Sequence, residues 1–292
     1  MNIKSAYLLG MIFGNGEIQR ESQQTTITID IPYKNLKTDD NNDVQLYVKS
    51  SLFDMRPIME EVIGNPINTT SGEHSTKLSF TRDNNQLFMQ IVSDYIESGT
   101  KQQNIKMSSK VFSLSRDHQR SLLRGIADVT AYIRKSNIAY GQANQHRVYI
   151  EVPQNWQMVA DIANLLKSVD VPIQTIDFGH PNFRDANMTK YNEGKHSFWK
   201  KEHQIKIWAN EFIPIGFNVT HKQKALEEYS NQLLQDSTLN ATKTHLYYWQ
   251  KSIRRKTKPI HPCENDCSLP DIIRGKHYAS WTELAEDLGY HG

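Results

Sequence analysis

Cysteine is nearly absent. Cys263 and Cys267 are the only two in 292 residues, and both lie near the end of the chain. So few thiols exclude a disulfide-stapled fold and point to a reducing compartment, so an intracellular location is expected. Long apolar runs are missing as well. None approaches the roughly 18 residues that a membrane-spanning helix needs. Charge of one sign is not in excess: 34 basic residues face 32 acidic ones, for a net charge of +2. That balance selects no partner, and any basic surface has to arise by local clustering. The N-terminus, MNIKSAYLLG, lacks a small-residue cleavage site and reads as structure rather than as a leader. Hydrophobic residues at 38% and charged residues at 23% suffice for a buried core and argue against global disorder.

What is present is a phrase written twice. YLLGMIFGNGEI (7–18) and LLRGIADVTAYI (122–133) share an apolar run, a central glycine and a closing small polar pair. The elements around them repeat too. Residues 3–14 read as a helix that is apolar all round and therefore buried. TTITIDI (25–31) alternates with period two, as a half-buried strand does. Residues 43–64 read as a helix with a break near Pro57, TKLSFTR (76–82) as a strand, and 85–97 as an amphipathic helix. The order then recurs: a helix over 117–129 with Ser115 as N-cap, a strand at HRVYIEV (146–152), a helix over 155–169, strands at 172–178 and 204–209, and a closing helix over 221–234. A period this long indicates a duplicated domain rather than a solenoid.

The doubled phrase resembles the signature of the LAGLIDADG homing endonuclease superfamily in its two-domain, single-chain form, over about residues 1–235. FIPIGFNVTHKQKALEEY (212–229) is similar to the family's closing segment. The resemblance implies an α+β fold of two pseudo-symmetric αββαββα domains, residues 1–114 and 115–240, followed by a small basic and aromatic extension, 241–292. It implies that the two signature helices pack side by side, with Gly10, Gly14, Gly125 and Ala127 allowing close approach, and that the two sheets form a saddle over the DNA major groove. In the family the last acid of each signature holds the metal ions that activate water. Those positions are Asn15 and Thr130 here, and neither offers the charged oxygen that Mg²⁺ prefers. Glu17 and Asp128 are the nearby acids that remain as substitutes. Lys77 and Lys206 occupy strands that match the family's basic position.

If the isoleucines of 25–31 face inward, Thr26, Thr28 and Asp30 face out, and Lys77, Ser79 and Thr81 share the outer side of their strand. In the second half the corresponding set is Arg147, Tyr149 and Glu151, with Gln204 and Lys206. Side chains of these types read donor and acceptor patterns in the major groove, although a merely solvated sheet face looks the same. KTHLYYWQKSIRRKTK (243–258) adds Lys251, Arg254, Arg255 and Lys256 among its basic residues, interleaves Tyr247, Tyr248 and Trp249, and has no acid. That is the charge pattern of a phosphate-contacting segment or of a solvated basic linker. His261, Cys263, Cys267 and His277 are zinc-ligand types, but their spacing matches no strong pattern. SWTELAEDLGY (280–290) resembles the first helix of a helix-turn-helix, with no recognition helix after it.

The expectation is a monomeric, double-stranded DNA-binding protein on a catalytically degenerate scaffold, a regulator or a DNA-targeting subunit, with no cofactor and no membrane partner. The alternatives are a Mg²⁺-dependent site-specific endonuclease of homing or restriction type that uses relocated acids, and a protein-interaction module.

Overall fold

The computed structural model describes residues 1–38, 44–135, 146–177, 202–235, 271–278 and 281–291. Helix α1, Ile3–Asn15, is capped by the Asn2 side chain, which accepts from the Ser5 amide at 2.7 Å. It is buried from Ser5 to Gly14 and runs straight into strand β1, Gly16–Arg20. Strand β2, Gln24–Pro32, follows, then a 3₁₀ turn, Tyr33–Leu36, and helix α2, Val44–Ile63. Strands β3, Asn68–Ser71, and β4, Ser75–Asp83, and helix α3, Leu87–Tyr95, complete an αββαββα unit. A short ladder of β5, Ile96–Ser98, with β6, Lys106–Met107, leads to the second unit.

That second unit repeats the order. Helix α4, Arg116–Thr130, has Ser115 as its N-cap and passes without a linker into β7, Ala131–Lys135. Then come β8, His146–Pro153, α5, Trp156–Ser168, β9, Thr175–Asp177, β10, Glu202–Trp208, the single turn α6, Ala209–Phe212, and α7, Thr220–Gln235. The two sheets are antiparallel and share one topology, β1-β2-β4-β3 and β7-β8-β10-β9. Their inner faces carry Ile18, Ile27, Ile29, Leu78 and Phe80 in the first, and Ile133, Val148, Ile150, Ile205 and Ile207 in the second, all buried.

The two units meet along α1 and α4. A Cβ on Gly10 would lie 2.0 Å from the Leu122 carbonyl oxygen, and one on Gly125 would lie 2.0 Å from the Tyr7 carbonyl oxygen. The contacts are reciprocal, as a local two-fold axis requires. Gly14 serves the same approach lower down, where a Cβ would meet Val129 Cγ2 at 2.6 Å.

Several expectations change. Strands β1, β3 and β7 fill the αββαββα pattern but are not among the elements read from periodicity. Helix α2 continues through Pro57 without a break; its partners, α1 and α7, hold it as one rod despite the lost backbone donor. A last helix, α8, Trp281–Asp287, belongs to a C-terminal piece that docks on α5. There Gln157 Nε2 donates to the Leu288 carbonyl at 2.9 Å, and Asn164 Nδ2 to that of Gly289 at 2.8 Å. Tyr290 is buried in the same contact. Among the described residues no helix is long and apolar enough to cross a membrane.

Candidate nucleic-acid interface

The outer face of the first sheet is open and polar. Antiparallel register sets its residues in rows, because directly paired residues point to the same side. Gln19, Thr26 and Thr81 form one row; Glu17, Thr28, Ser79 and Asn68 the next; Asp30, Lys77 and Thr70 the third. All are half-buried or exposed. The short side chains keep the surface low and adaptable: Thr26 and Thr81 share a hydroxyl hydrogen bond at 2.8 Å. Glu17 is ion-paired with Lys101 at 3.2 Å, and the hydrogen bond from that ammonium holds its carboxyl below the usual range.

The second sheet has the same rows but not the same face. Arg134, Arg147 and Trp208 form one, and Tyr132, Tyr149 and Lys206 the next, with Glu151 and Gln204 in the third. Here the sequence-based expectation needs correction. Arg147, Tyr149, Glu151, Gln204 and Lys206 lie on the predicted side, yet they are only 3 to 7% exposed. Large flat groups stack on this side. Tyr132 stacks on Tyr149 with centroids 5.2 Å apart, and the Arg134 guanidinium lies 4.7 Å over the Tyr149 ring. The Arg147 guanidinium lies 4.3 Å over Trp208. Gln204 donates to Glu151 at 3.1 Å, and Lys34 reaches across from the first unit to Glu151 at 2.8 Å. The register also shifts one match: Lys77 corresponds to Gln204, and Lys206 to Ser79.

At the foot of the helix pair stand Asn15 and Thr130. Asn15 Nδ2 donates to the Asp30 carbonyl, and the Thr130 hydroxyl donates back to the Ile126 carbonyl at 2.7 Å. Both side chains are neutral and already engaged in holding the helix ends. Among the described residues no group of three His, Cys, Asp or Glu side chains is arranged to hold a metal ion. The donor set at the foot therefore does not fit a divalent-metal pair.

Asp128 has no access to solvent. It accepts from the Tyr7 hydroxyl at 2.7 Å and from the amides of Asn218 at 3.0 Å and Val219 at 3.4 Å. Burial raises its pKa against the opposing pull of Lys222. Lys222 is also fully buried and donates to the carbonyls of Ala127, Asp128 and Ala131 at 3.0, 3.3 and 2.7 Å. A cation there satisfies the last carbonyls of α4 and complements its dipole. Asp128 thus fastens α4 to α1 and to the start of α7; it is not placed to meet a substrate, and helix periodicity in the sequence did not reveal its second and third partners.

Lys251, Arg254, Arg255, Lys256, His261, Cys263 and Cys267 lie outside the described residues. His277 is exposed on the C-terminal piece.

No family model and no curated protein matches the chain. Solved structures similar to it include the I-LtrWI LAGLIDADG homing endonuclease bound to target DNA, at 10% identity over 82% of this chain and 94% of that chain, with a TM-score of 0.44. A variant of I-DmoI in complex with its target DNA and manganese is similar at 12% identity over 72% and 91%, with a TM-score of 0.40. Full-length WhiA from Thermatoga maritima is similar at 11% identity over 87% and 69%, with a TM-score of 0.40. Identities and TM-scores this low assign no activity, and the function of this chain rests on its own side chains.

Proposed function

We propose that the chain is a double-stranded DNA-binding protein that reads the duplex with the outer face of its first sheet and does not cut it, and that it serves as a regulator or targeting subunit. The observation that carries this reading is the open polar ladder. Three rows of Gln, Thr, Ser, Asn and Lys side chains stand on an open face with Lys101 at its Glu17 edge. The major groove is about 12 Å wide and admits a two-stranded ribbon, and these are the side-chain types that pair with base edges. Glu17 and Asp30 suit cytosine amino groups and would be repelled by phosphate, which favours groove over backbone for the centre of the face. The exposed Lys77 on this face can supply a phosphate contact, which positions without specifying.

The expected result in a fluorescence-anisotropy titration is duplex binding with a steep salt dependence, a log–log slope of about −4 for four or more phosphates at about −0.9 each. Ser79→Glu places a third carboxylate on the face, beside Glu17 in the middle row, and is expected to weaken binding at least ~10-fold with no change in melting temperature. Absence of binding at low salt across a random duplex pool would overturn the reading.

Cleavage is the second test. The neutral, occupied side chains of Asn15 and Thr130 support a scaffold without metal-assisted hydrolysis. Incubation of bound duplex with Mg²⁺ or Mn²⁺ is expected to leave both strands intact, in the wild type and in Glu17→Gln alike. Efficient double-strand cleavage that Glu17→Gln abolishes would instead identify a nuclease with a relocated acid.

A further inference from the structure

Beside the seam between the two units, at the end of β2, lies a cleft of about 750 Å³. It is lined by Tyr33, the buried Val48, Lys34, Lys37, Lys49 and His74 among others. The walls are fixed. The Tyr33 amide donates to the His74 carbonyl at 2.9 Å, and its hydroxyl lies 2.9 Å from Thr76 Oγ1 and 3.2 Å from the Gly72 carbonyl. The β3–β4 turn is thereby clamped against the 3₁₀ turn, so the cavity is a built feature of the first unit.

The charges in it are unequal. Lys34 is engaged by Glu151, and Glu73 lies 3.7 Å from the His74 imidazole. Among the described residues no carboxylate pairs with Lys37 or Lys49, both of which are exposed. Asp39, Asp40 and Asp43 follow in sequence and lie outside the described residues. A recess of this size is in the range of small-ligand sites. A lining that combines an aromatic side chain with two ammonium groups that no described carboxylate pairs is suited to a compact organic body carrying phosphate. A phosphate there gains more from each ammonium than it would on open surface, because the effective dielectric in a cleft is lower.

We propose that this cleft is a binding site for a phosphate ester, held by Lys37 and Lys49. The phosphate comes either on a free small molecule such as a nucleotide or on the flank of a bound duplex. The first source is independent of the DNA-binding reading; the second rests on it.

The experiment uses the full chain, a Lys37→Glu/Lys49→Glu variant, and a Lys106→Glu/Lys224→Glu control that removes the same charge from exposed positions elsewhere. Calorimetric titration with inorganic pyrophosphate and with adenosine triphosphate reads the free source. Binding by wild type and control, weakened at least 20-fold in the Lys37/Lys49 variant at an unchanged melting temperature, is expected. The duplex source is read from the salt dependence: loss of two phosphate contacts lowers the slope by about 2, against no loss in the control. A Lys37→Arg/Lys49→Arg variant should retain either behaviour. If the Lys37/Lys49 charge reversal moves neither the pyrophosphate and adenosine triphosphate affinities nor the duplex slope beyond the control, the proposal is wrong. Pyrophosphate binding that depends on Lys37 and Lys49 in a chain that binds no duplex would uphold the cleft and overturn the DNA-binding reading.

Discussion

Replacing Gly10 by alanine is expected to lower the melting temperature by roughly 10 °C, and Gly125→Ala should do the same. A single methyl group at either position meets a backbone carbonyl of the facing helix at 2.0 Å, which no rotamer change can relieve. The helices have to separate along their whole contact. Overpacking of this kind reaches about 3 kcal/mol, and for a chain of this size each kcal/mol moves the midpoint by ~2–4 °C. Gly14→Ala should cost less, because its methyl would meet the end of the Val129 side chain, which can rotate. The double variant Gly10→Ala/Gly125→Ala is expected to be less destabilised than the sum of its parts, since one displacement makes room for both. Chemical denaturation of the four variants checks the ranking. Equal stability of Gly10→Ala and the wild type would mean that the helix pair is wrongly placed.

Lys222→Met should be comparably damaging. The substitution keeps the bulk but strips the donors from three buried carbonyls and leaves Asp128 without its countercharge. Breaking one side of such a buried pair costs about 3–5 kcal/mol. Lys222→Met/Asp128→Asn should recover part of that loss, because an uncompensated charge is no longer buried. The pH dependence has a definite sign. Burial pushes Lys222 down to about 7, well below its unfolded value, so between pH 7 and the ordinary lysine range the unfolded chain binds more protons. Wild-type stability contributed by this group therefore rises with pH through that window. The raised pKa of Asp128 works the other way, so its contribution falls as pH rises above the ordinary aspartate range. Urea midpoints at pH 7 and pH 9 should differ more for the wild type than for Lys222→Met; parallel shifts would show that Lys222 is not buried.

The paired helices and the longer strands were legible in the sequence because their signals are long. Ile27, Ile29 and Ile31 span a full alternation, and the glycines recur at matching places in two apolar runs. Strands β1 and β7 were not legible. GEIQR and AYIRK are five residues long and each carries one inward isoleucine, Ile18 or Ile133, too little to show an alternation. The exposed strand NTTS has no alternation at all. For the second sheet, alternation identified the side to which Arg147, Tyr149 and Lys206 point. It carried no information about what lies above them. The signal was Tyr132, Tyr149 and Trp208 together: flat aromatic groups on an outer face stack on their neighbours, whereas Thr26, Thr28 and Ser79 are too short to do so. Asp128 was ambiguous for another reason. An acid inside LLRGIADVT reads as a cap or as a reactive group, and only the approach of Tyr7 and Lys222 from distant segments decides it.

The hydrogen bond from Tyr7 to Asp128 crosses the local two-fold axis, and its symmetry-related positions are Leu122 and Phe13, apolar on both sides. This makes the halves complementary rather than interchangeable. Two copies of the first half, paired about the same axis, would set the Tyr7 hydroxyl against a phenylalanine. Two copies of the second would set the Asp128 carboxylate against a leucine. The first pairing strands the Tyr7 hydroxyl in a closed interface, at a cost of about 1–3 kcal/mol for each of the two copies, whereas in the second Asp128 loses only the phenol and keeps the amides of Asn218 and Val219. Separated into two polypeptides, the halves would choose each other over themselves, and the phenol–carboxylate contact, with the Lys34–Glu151 ion pair, would favour that choice.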